Sequence, residues 1–372
     1  MLIGHGEIAP YLLDRKLVSR ESILNGDLTV HDISRRNHNF RVISRDGPSY
    51  LIKQGTTPEG IASVAREAAF HRLLGRTAGS ALVRAYIPAL ADYDASTGVL
   101  VLMLIADAGD LRHYHARTGR FSVTLARELG TALARLHGTS YAAGRARGAR
   151  EFALGPPWIL SVHRPAVEDL VTRSPASLEV VKLVQRVPDL GAHFDELSAS
   201  WTPSMLSHGD LKWENCLAYP RQGSRRHDRL AIVDWETAGL GDPCWDIGSA
   251  FSAYLTFWVL SMPLTADAPL SQLPEMARYP LSAMHPALRS FWRAYAKIRG
   301  LAGFAAADCI FRSVRFAAAR LVQTAFEQMQ MRTELTGNVV AMVQLAQNIA
   351  DRPMEAAYGL LGLGATEPLD AR

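Results

Sequence analysis

Apolar and polar residues follow two different periods along this chain. From His31 to Lys53, two short segments in which apolar and polar residues alternate lie on either side of the tetrapeptide RDGP at 45–48. An Asp-Gly turn between two such segments is a strong hairpin signal. This pattern predicts two strands, HDISRRNHNFRVIS and SYLIKQ, joined by that turn. Residues 59–75 instead carry apolar side chains at helical spacing and predict a helix that ends at Gly75.

The pattern changes from strands to helices near Ile105. Apolar runs predict strands around Leu82–Tyr93 and Gly98–Ile105. Beyond them, residues 125–138 form an amphipathic helical pattern, and Ala-rich helical patterns cover 304–332 and 334–351. With 372 residues the chain is too long for one ordinary core. We therefore predict an α+β protein with a small β-rich lobe, 1–105, and a large helical lobe, 106–372.

One long uncharged segment raises the question of a membrane span. No charged residue occurs between Asp246 and Asp267, which is long enough to consider a bilayer helix. Gly, Ser, Thr and Pro residues dilute the segment, and Asp242 before Pro243 is typical of a helix N-cap. We predict a buried helix and no membrane association.

Composition and charge narrow the possible partners only slightly. Hydrophobic residues make up 48% and charged residues 20% of the chain, and its formal net charge is +4. A modest arginine excess is compatible with anionic ligands, but no nucleic-acid-binding signature accompanies it. We expect no nucleic acid partner.

The cysteines and the N-terminus indicate a cytoplasmic protein. Cys216, Cys244 and Cys309 have no paired spacing and no histidine cluster around them, so neither a disulfide framework nor a zinc site is predicted. The N-terminal residues lack the basic start and the uninterrupted apolar stretch of a secretory signal. We expect free thiols in the cytoplasm.

The strongest chemical signal is SHGDLKWEN at 207–215, followed by AIVDWE at 231–236. Phosphoryl transfer from ATP needs a carboxylate that orients or deprotonates the attacking hydroxyl, and oxygen ligands that hold Mg²⁺. Asp210 followed after four residues by Asn215 matches the loop in which the aspartate is the base and the asparagine a metal ligand. Asp234 ends a short β-branched run, where a second metal-binding carboxylate belongs.

An Asp-x4-Asn pattern by itself occurs by chance, and its residues could be caps and turns of an unrelated helical domain. Here His208-Gly209 precedes it, and Gly241-Asp242-Pro243 with Asp246 follows before a long apolar helix. HGDLKWEN, IVDWE and GDPCWDIG resemble, in this order, the three signatures of the aminoglycoside phosphotransferase and choline kinase group of enzymes. The resemblance covers nearly the whole chain from about residue 27.

The resemblance implies a two-lobed protein-kinase-like fold with a nucleotide-binding N-terminal lobe and a catalytic, acceptor-binding C-terminal lobe. It implies an ATP- and Mg²⁺-dependent phosphotransferase that transfers the γ-phosphoryl group to a hydroxyl. Carried over residue by residue, it makes Asp210 the catalytic base and makes Asn215 and Asp234 the magnesium ligands. In the same way it makes His208 and Asp246 supports that fix the catalytic loop. Asp210, His208 and Lys212 are the candidate catalytic residues of this loop.

In the small lobe, Lys53 in the sequence YLIK has the position of the lysine that grips the α- and β-phosphates. Its predicted ion-pair partner is Glu67 in the following helix. The alternatives are an exposed lysine on an edge strand and a glutamate on a solvated helix face.

The predicted phosphate-covering loop, residues 32–40, contains no glycine. Phosphate contacts would then come from backbone N–H groups and from Ser34, Asn37 or arginine side chains. The resemblance also implies that the adenine stacks between apolar surfaces and binds the backbone near Ile105.

The motifs leave the acceptor open, because one fold and one chemistry serve many alcohols. A polycationic aminoglycoside would call for an acidic C-terminal region. Residues 285–332 instead carry a cationic set that outnumbers Asp308 and Glu327, namely Arg289, Arg293, Lys297, Arg299, Arg312, Arg315, Arg320 and Arg332.

Other segments resemble the kinase subunits of class V lanthipeptide and thioamitide biosynthesis. They are SRRN at 34–37, NFR at 39–41, KQ at 53–54, KWENC at 212–216, WVLSMP at 258–263 and AARLVQTA at 318–325. This resemblance implies a Ser or Thr acceptor in a ribosomally made precursor peptide and a separate lyase partner. Basic loops at 145–150 and 221–229 are compatible with such an acceptor.

Two alternatives stay open. One is a small-molecule kinase that acts on an aminoglycoside, choline, homoserine or a similar alcohol. The other is a catalytically dead pseudokinase that acts as a binding module, which predicts the loss of Lys53, Asp210, Asn215 or Asp234. All four residues are present.

Overall fold

The structure is a computed structural model that describes residues 2–34, 37–77, 79–139, 152–166, 168, 173–221, 223–263 and 274–364. The strands are β1 (Leu28–Asp32), β2 (His38–Ser44), β3 (Tyr50–Gln54), β4 (Leu90–Asp94), β5 (Val99–Met103), β6 (Gly109–Asp110), β7 (Met205–Ser207), β8 (Cys216–Pro220), β9 (His227–Ile232) and β10 (Gly239–Gly241).

Helices dominate the second half of the chain. They are α1 (Ile8–Asp14), α2 (Arg20–Leu24), α3 (Pro58–Arg76), α4 (Ala81–Arg84), α5 (Leu111–Thr118), α6 (Val123–His137), α7 (Pro175–Arg186), α8 (Leu190–Ala199), α9 (Pro243–Leu260), α10 (His285–Arg299), α11 (Gly303–Met329), α12 (Gly337–Asp351) and α13 (Pro353–Gly359). The mixed α+β class with a β-rich start and a helical C-terminal region is therefore confirmed.

The described residues form two compact units. The first contains residues within 2–111, residue 139 and residues within 214–239, and the second contains residues within 112–138, 152–213 and 240–364. Residues 214–239 thus belong with the β-rich part, although they follow the helices in the chain. The predicted division into lobes 1–105 and 106–372 is contiguous in sequence and stays a prediction.

The first unit is built on a five-stranded sheet of order β1-β2-β3-β5-β4 with antiparallel neighbours. Side chains alternate across a sheet, and both of its faces are buried. Phe40, Ile52 and Val101 pack in one cluster with Ile8 and Leu12 of α1. On the other face, the β5 residues Leu100 and Leu102 pack against Val64 and Ala68 of α3. The apolar run in β5 is thus buried on both sides.

Three sequence predictions in this unit need correction. The single strand predicted over 31–44 is two strands, β1 and β2. The helix predicted over 59–75 is present as α3, but it continues through Gly75 to Arg76, and Thr77 follows it, with its hydroxyl donating to Leu73 O at 2.8 Å. The strand predicted around 82–93 is wrong in its first part, because a turn that begins at Ser80 starts the short helix α4 instead.

The second unit is helical, and glycines allow its helices to pack closely. A Cβ atom at Gly130 of α6 would lie 2.2 Å from Phe291 O of α10, and one at Gly248 of α9 would lie 2.5 Å from Ser313 O of α11. Helix α9 is the predicted buried helix, and Asp242 caps it by accepting the Cys244 N–H at 3.0 Å, as predicted. Among the described residues, no helix combines the length and the apolar character needed to cross a bilayer.

Candidate active site

Lys53 lies on the α3 side of the five-stranded sheet. It pairs with Leu100 of β5, and the Leu100 side chain packs against α3, so both side chains point to that face. The Lys53 ammonium donates to Glu67 Oε2 at 2.8 Å and to Asp234 Oδ1 at 2.9 Å. The predicted Lys53–Glu67 ion pair is present, and a third predicted site residue joins it.

Glu67 is held by the turn that contains Asp234. Its Oε1 accepts the backbone N–H of Trp235 at 3.3 Å. The Trp235 ring stacks on Phe70, one turn further along α3, with ring centroids 4.6 Å apart. The sequence VDWE therefore fastens the end of β9 to α3, and this contact brings the carboxylates of Glu67 and Asp234 to the same ammonium group.

The positive charge of Lys53 is stabilised by two neighbouring carboxylates. Burial favours the neutral amine, but the carboxylates of Glu67 and Asp234 outweigh it and raise the pKa of Lys53 above its ordinary value. The lysine stays protonated throughout the physiological range. A fixed ammonium group of this kind is suited to an anionic ligand such as a phosphate chain.

A cavity of about 380 Å³ opens at this ion pair. Lys53, Glu67 and Asp234 line it together with apolar side chains that include Leu51, Met103 and Ile105. Polar groups that converge in a largely apolar cavity are typical of small-ligand sites. Ile105 is one of the lining residues, and its contact with adenine stays a prediction.

Ser34 and Asn37 do not line this cavity. The Ser34 hydroxyl accepts the Asn39 N–H at 3.0 Å, and Asp32 accepts the Ser34 N–H at 2.8 Å, so both bonds shape the β1–β2 connection. Asn37 packs against α3, because a Cβ atom at Gly60 would lie 2.5 Å from Asn37 Oδ1. Their phosphate contacts stay a prediction, and Arg35 and Arg36 lie outside the described residues.

Asn215 and Asp234 come from neighbouring strand ends. The Val233 N–H donates to Asn215 O at 2.9 Å, next to the antiparallel pair of β8 and β9. Asp234 has a φ of 68°, a left-handed conformation that aspartate tolerates better than most residues. No group of three His, Cys, Asp or Glu side chains that could hold a metal occurs in the described part of the chain. An amide and a carboxylate oxygen nevertheless suit Mg²⁺, which binds through few protein ligands, waters and phosphates.

In the second unit, Asp246 holds the loop that carries Asp210. Asp246 is fully buried. Its Oδ2 accepts the His208 N–H at 2.7 Å and its Oδ1 accepts the Gly209 N–H at 3.0 Å. The Trp245 indole N–H donates to Gly209 O at 2.8 Å. The predicted support of this loop by Asp246 therefore has a direct geometric basis.

His137 contacts Asp246 from α6. Its Nε2 lies 3.2 Å from Asp246 Oδ2, and its Nδ1 lies 2.9 Å from the Tyr295 hydroxyl. A carboxylate only accepts hydrogen bonds, so Nε2 carries the proton. Burial raises the pKa of Asp246, but the bonds from His137 and from the His208 backbone outweigh it and hold that pKa below its ordinary value.

Each carboxylate oxygen of Asp210 faces a cation. Lys212 Nζ donates to Oδ2 at 2.8 Å, and Arg320 Nη2 lies 2.8 Å from Oδ1. Burial raises the pKa of Asp210, yet Arg320 and Lys212 together hold it below its usual range. The Asp210 N–H lies 3.3 Å from His208 Nδ1, which therefore accepts it. His208, Asp210 and Lys212 are thus brought together in one loop.

Sequence reasoning did not assign Arg320, His137 or Trp235 to the site. Arg320 was counted among the cations of 285–332, although its position within the Ala-rich run AARLVQTA was a signal of a buried charge. His137 ends the amphipathic pattern LARLHG and had no distinguishing signal. Trp235 lies within the VDWE signature, where only the aspartate was assigned a role.

A β-rich unit with a paired lysine at a cavity, and a helical unit with an anchored His-Gly-Asp loop, characterise the kinase-like phosphotransferases that use an alcohol group as acceptor. This chain belongs to the phosphotransferase enzyme family APH, whose sequence model matches residues 27–302. The pseudokinase alternative is set aside with this assignment, and the chain is a phosphotransferase.

Solved structures show the same fold at low sequence identity. A choline kinase from Cryptosporidium parvum Iowa II aligns at 13% identity with a TM-score of 0.53, covering 94% of this chain and 96% of its own. A choline/ethanolamine kinase family protein from Mesorhizobium loti aligns at 18% identity with a TM-score of 0.51, covering 92% and 94%. No curated protein sequence is significantly similar to this chain.

Proposed function

We propose that this phosphotransferase uses ATP with Mg²⁺ and transfers the γ-phosphoryl group to a hydroxyl. The convergence of Lys53, Glu67 and Asp234 at the cavity carries the proposal. Lys53 would bind the α- and β-phosphates, because its charge is fixed and its ammonium is held in place by two carboxylates. The apolar lining near Ile105 would receive the base.

Asn215 and Asp234 would hold the magnesium ion, since both offer oxygen ligands of the kind that Mg²⁺ prefers. When bound, the ion would neutralise charge on the phosphate oxygens. Asp234 would then have two roles, because its Oδ1 also accepts from Lys53. The side chain keeps about a third of its surface exposed, which leaves room for ligand contact.

Asp210 would act on the acceptor hydroxyl. Its depressed pKa means that the carboxylate is ionised at neutral pH, so it accepts a hydrogen bond from the hydroxyl and aligns it. A strongly ionised carboxylate is a weak base. The role that the geometry supports best is therefore orientation of the hydroxyl, with proton acceptance late in the transfer.

Replacement of Asp210 by Ala tests this function. We expect transfer to fall about 100-fold or more, while the affinity for an ATP analogue stays within about twofold of wild type. Asp195→Ala removes a half-exposed aspartate of α8 and is the matched control. Retention of more than a tenth of the rate in Asp210→Ala would contradict the assignment.

For the acceptor, we propose a Ser or Thr hydroxyl of a precursor peptide, with a separate lyase that removes the phosphate. The support is the motif resemblance, because three of the cationic side chains of 285–332 pair with acidic residues of the same unit. Arg312 pairs with Asp242, Arg315 with Glu196, and Arg320 with Asp210 and Glu327. These three arginines already have acidic partners, so they do not by themselves support a phosphopeptide surface. The basic loop at 145–150 lies outside the described residues.

The acceptor test is direct. The protein would be incubated with Mg-ATP and the precursor peptide encoded beside its gene, and separately with aminoglycosides, choline and homoserine, while mass spectrometry follows the gain of one phosphate. Phosphate on the peptide supports the proposal. Phosphate on a small alcohol, with an unchanged peptide even when the neighbouring lyase is present, would overturn the peptide acceptor and leave the phosphotransferase reaction intact.

A further inference from the structure

Arg320 is a buried cation that reaches Asp210 from a distant helix. It lies in α11, its side chain is only 3% exposed, and its Nη2 is 2.8 Å from Asp210 Oδ1. Transfer of a guanidinium group into a protein interior is unfavourable unless the group is paired and hydrogen-bonded. A charge at such a position therefore requires an oppositely charged partner, and Asp210 is one.

The opposite end of the guanidinium is also held. Arg320 Nη1 lies 3.3 Å from Glu327 Oε1, and the Gln323 amide donates to the same oxygen at 2.9 Å. Positions 320, 323 and 327 lie on one face of a helix. The Arg320 guanidinium therefore has an acidic partner at each of its two terminal nitrogens.

Arg320 and Lys212 differ in their freedom to move. Lys212 binds the other carboxylate oxygen, Oδ2, but its side chain is 34% exposed and it belongs to the same loop as Asp210. A flexible, part-exposed lysine exchanges partners readily, whereas a buried guanidinium held at both ends does not. Oδ1 thus faces the more buried of the two cations, and Oδ2 is the oxygen that Lys212 can release.

We propose that Arg320 is a positioning residue for the proposed phosphotransfer, holding Oδ1 of Asp210 so that Oδ2 is presented to the acceptor hydroxyl. Arg320 acts through Asp210 and has no direct contact with substrate in this role. The inference rests on the proposed function of Asp210. Among the described residues, Arg320, Lys212 and His208 are charged or titratable groups that face Asp210, and Glu327 lies behind the two cations.

The test compares Arg320→Met and Arg320→Lys with wild type. Met keeps much of the buried volume without the charge, so we expect kcat to fall about 10- to 100-fold, while the Kd for an ATP analogue changes less than about twofold. The acidic limb of the kcat/KM profile should move to higher pH, because Asp210 loses a cation that favours its ionised form. Arg320→Lys should recover part of the rate and part of the shift.

Arg315→Met is the matched control. Arg315 lies on the same helix but pairs with Glu196, whose side chain is 65% exposed, so this variant should keep the wild-type rate and profile. Glu327→Gln removes the negative charge of the far partner and keeps the Arg320–Asp210 contact, so a smaller fall in kcat is expected. If Arg320→Met does not fold, as thermal unfolding would show, Arg320→Lys and Glu327→Gln decide the question.

Failure of the inference and failure of the proposed function give different results. Wild-type rate and an unmoved acidic limb in Arg320→Met, with Asp210→Ala inactive, would overturn the positioning role alone. If Asp210→Ala kept more than about a tenth of the wild-type rate, the proposed function of Asp210 would be overturned, and the positioning role of Arg320 would fall with it. When both hold, adding Arg320→Met to Asp210→Ala should cause no further loss, because the two residues act as one unit.

Discussion

Asp246 and His208 are joined by a hydrogen bond of 2.7 Å from the backbone N–H of His208 to a fully buried carboxylate. The neighbouring Gly209 N–H binds the second oxygen of the same group. Two consecutive backbone amides are thus bound by one side chain, and these bonds orient the backbone immediately before Asp210. The rigidity of the candidate catalytic loop comes from the helix that follows it in the chain.

Replacement of Asp246 by Asn should impair both folding and catalysis. An amide has only one acceptor oxygen, so an N–H donor would face one of the loop amides. We expect a loss of about 3 kcal/mol in the free energy of unfolding and at least a tenfold fall in kcat. Urea unfolding and initial rates check both.

The loss of stability in Asp246→Asn should depend on pH. The folded pKa of Asp246 lies below its ordinary value, so its stabilising contribution is present above about pH 4 and is lost as the pH falls further. The stability gap between wild type and Asp246→Asn should therefore be full at neutral pH and shrink below about pH 4. A gap that does not depend on pH would contradict the ionised state of Asp246.

Lys53→Met should weaken nucleotide binding. The substitution removes the fixed ammonium group at the cavity and leaves the carboxylates of Glu67 and Asp234 uncompensated next to the phosphate chain. We expect the Kd for an ATP analogue to rise about tenfold or more, by isothermal titration calorimetry. Lys182→Met breaks an exposed pair with Glu179 and should leave the affinity unchanged. Equal affinities in all three proteins would remove Lys53 from the nucleotide site.

His115 should make the protein less stable in mild acid. Burial lowers the pKa of His115 to about 4, although its hydrogen bond to the Arg120 carbonyl acts in the opposite direction. Between about pH 6.5 and pH 4 the imidazole of His115 is therefore protonated in the unfolded chain but neutral in the folded protein. The free energy of unfolding decreases as the pH falls through this range, by up to about 3 kcal/mol. His115→Gln should reduce this loss, measured by urea unfolding at pH 7 and pH 5.

His113 provides the control for that experiment. It is exposed on the same helix, α5, so His113→Gln should retain the wild-type dependence of stability on pH. If wild type and His115→Gln lost the same stability between pH 7 and pH 5, the buried imidazole would not be the titrating group.

Gly248→Ala should destabilise the second unit. The added methyl would lie 2.5 Å from Ser313 O and 2.9 Å from Ala317 N, so α9 and α11 would have to separate. We expect a loss of about 1–3 kcal/mol. Gly75→Ala in α3 meets nothing within 4 Å and should instead stabilise by about 0.5–1 kcal/mol. Thermal unfolding of both variants distinguishes close packing from a general effect of alanine.

Much of this protein could be predicted from local pattern alone. The periods of two and of 3.6 residues located the sheet of the first unit, helix α3 and the long helices α11 and α12. The Asp242-Pro243 pair located the start of α9, and the kinase-like YLIK pattern predicted that Lys53 meets Glu67 of the following helix. Each of these features depends on residues that are close in sequence, or on a motif whose chemistry requires one arrangement.

Only the tertiary structure decided which charges are internal. Arg312, Arg315 and Arg320 lie in one helical pattern and carry the same charge, yet their partners are a helix cap, an exposed glutamate and the proposed base. The strand predicted at 82 became a helix because the turn at Ser80 starts one. Ion-pair partners that are 70 or more residues apart in the chain are chosen by how helices pack. Hydrophobic periodicity determines which face of a helix is buried but not which charge it meets there.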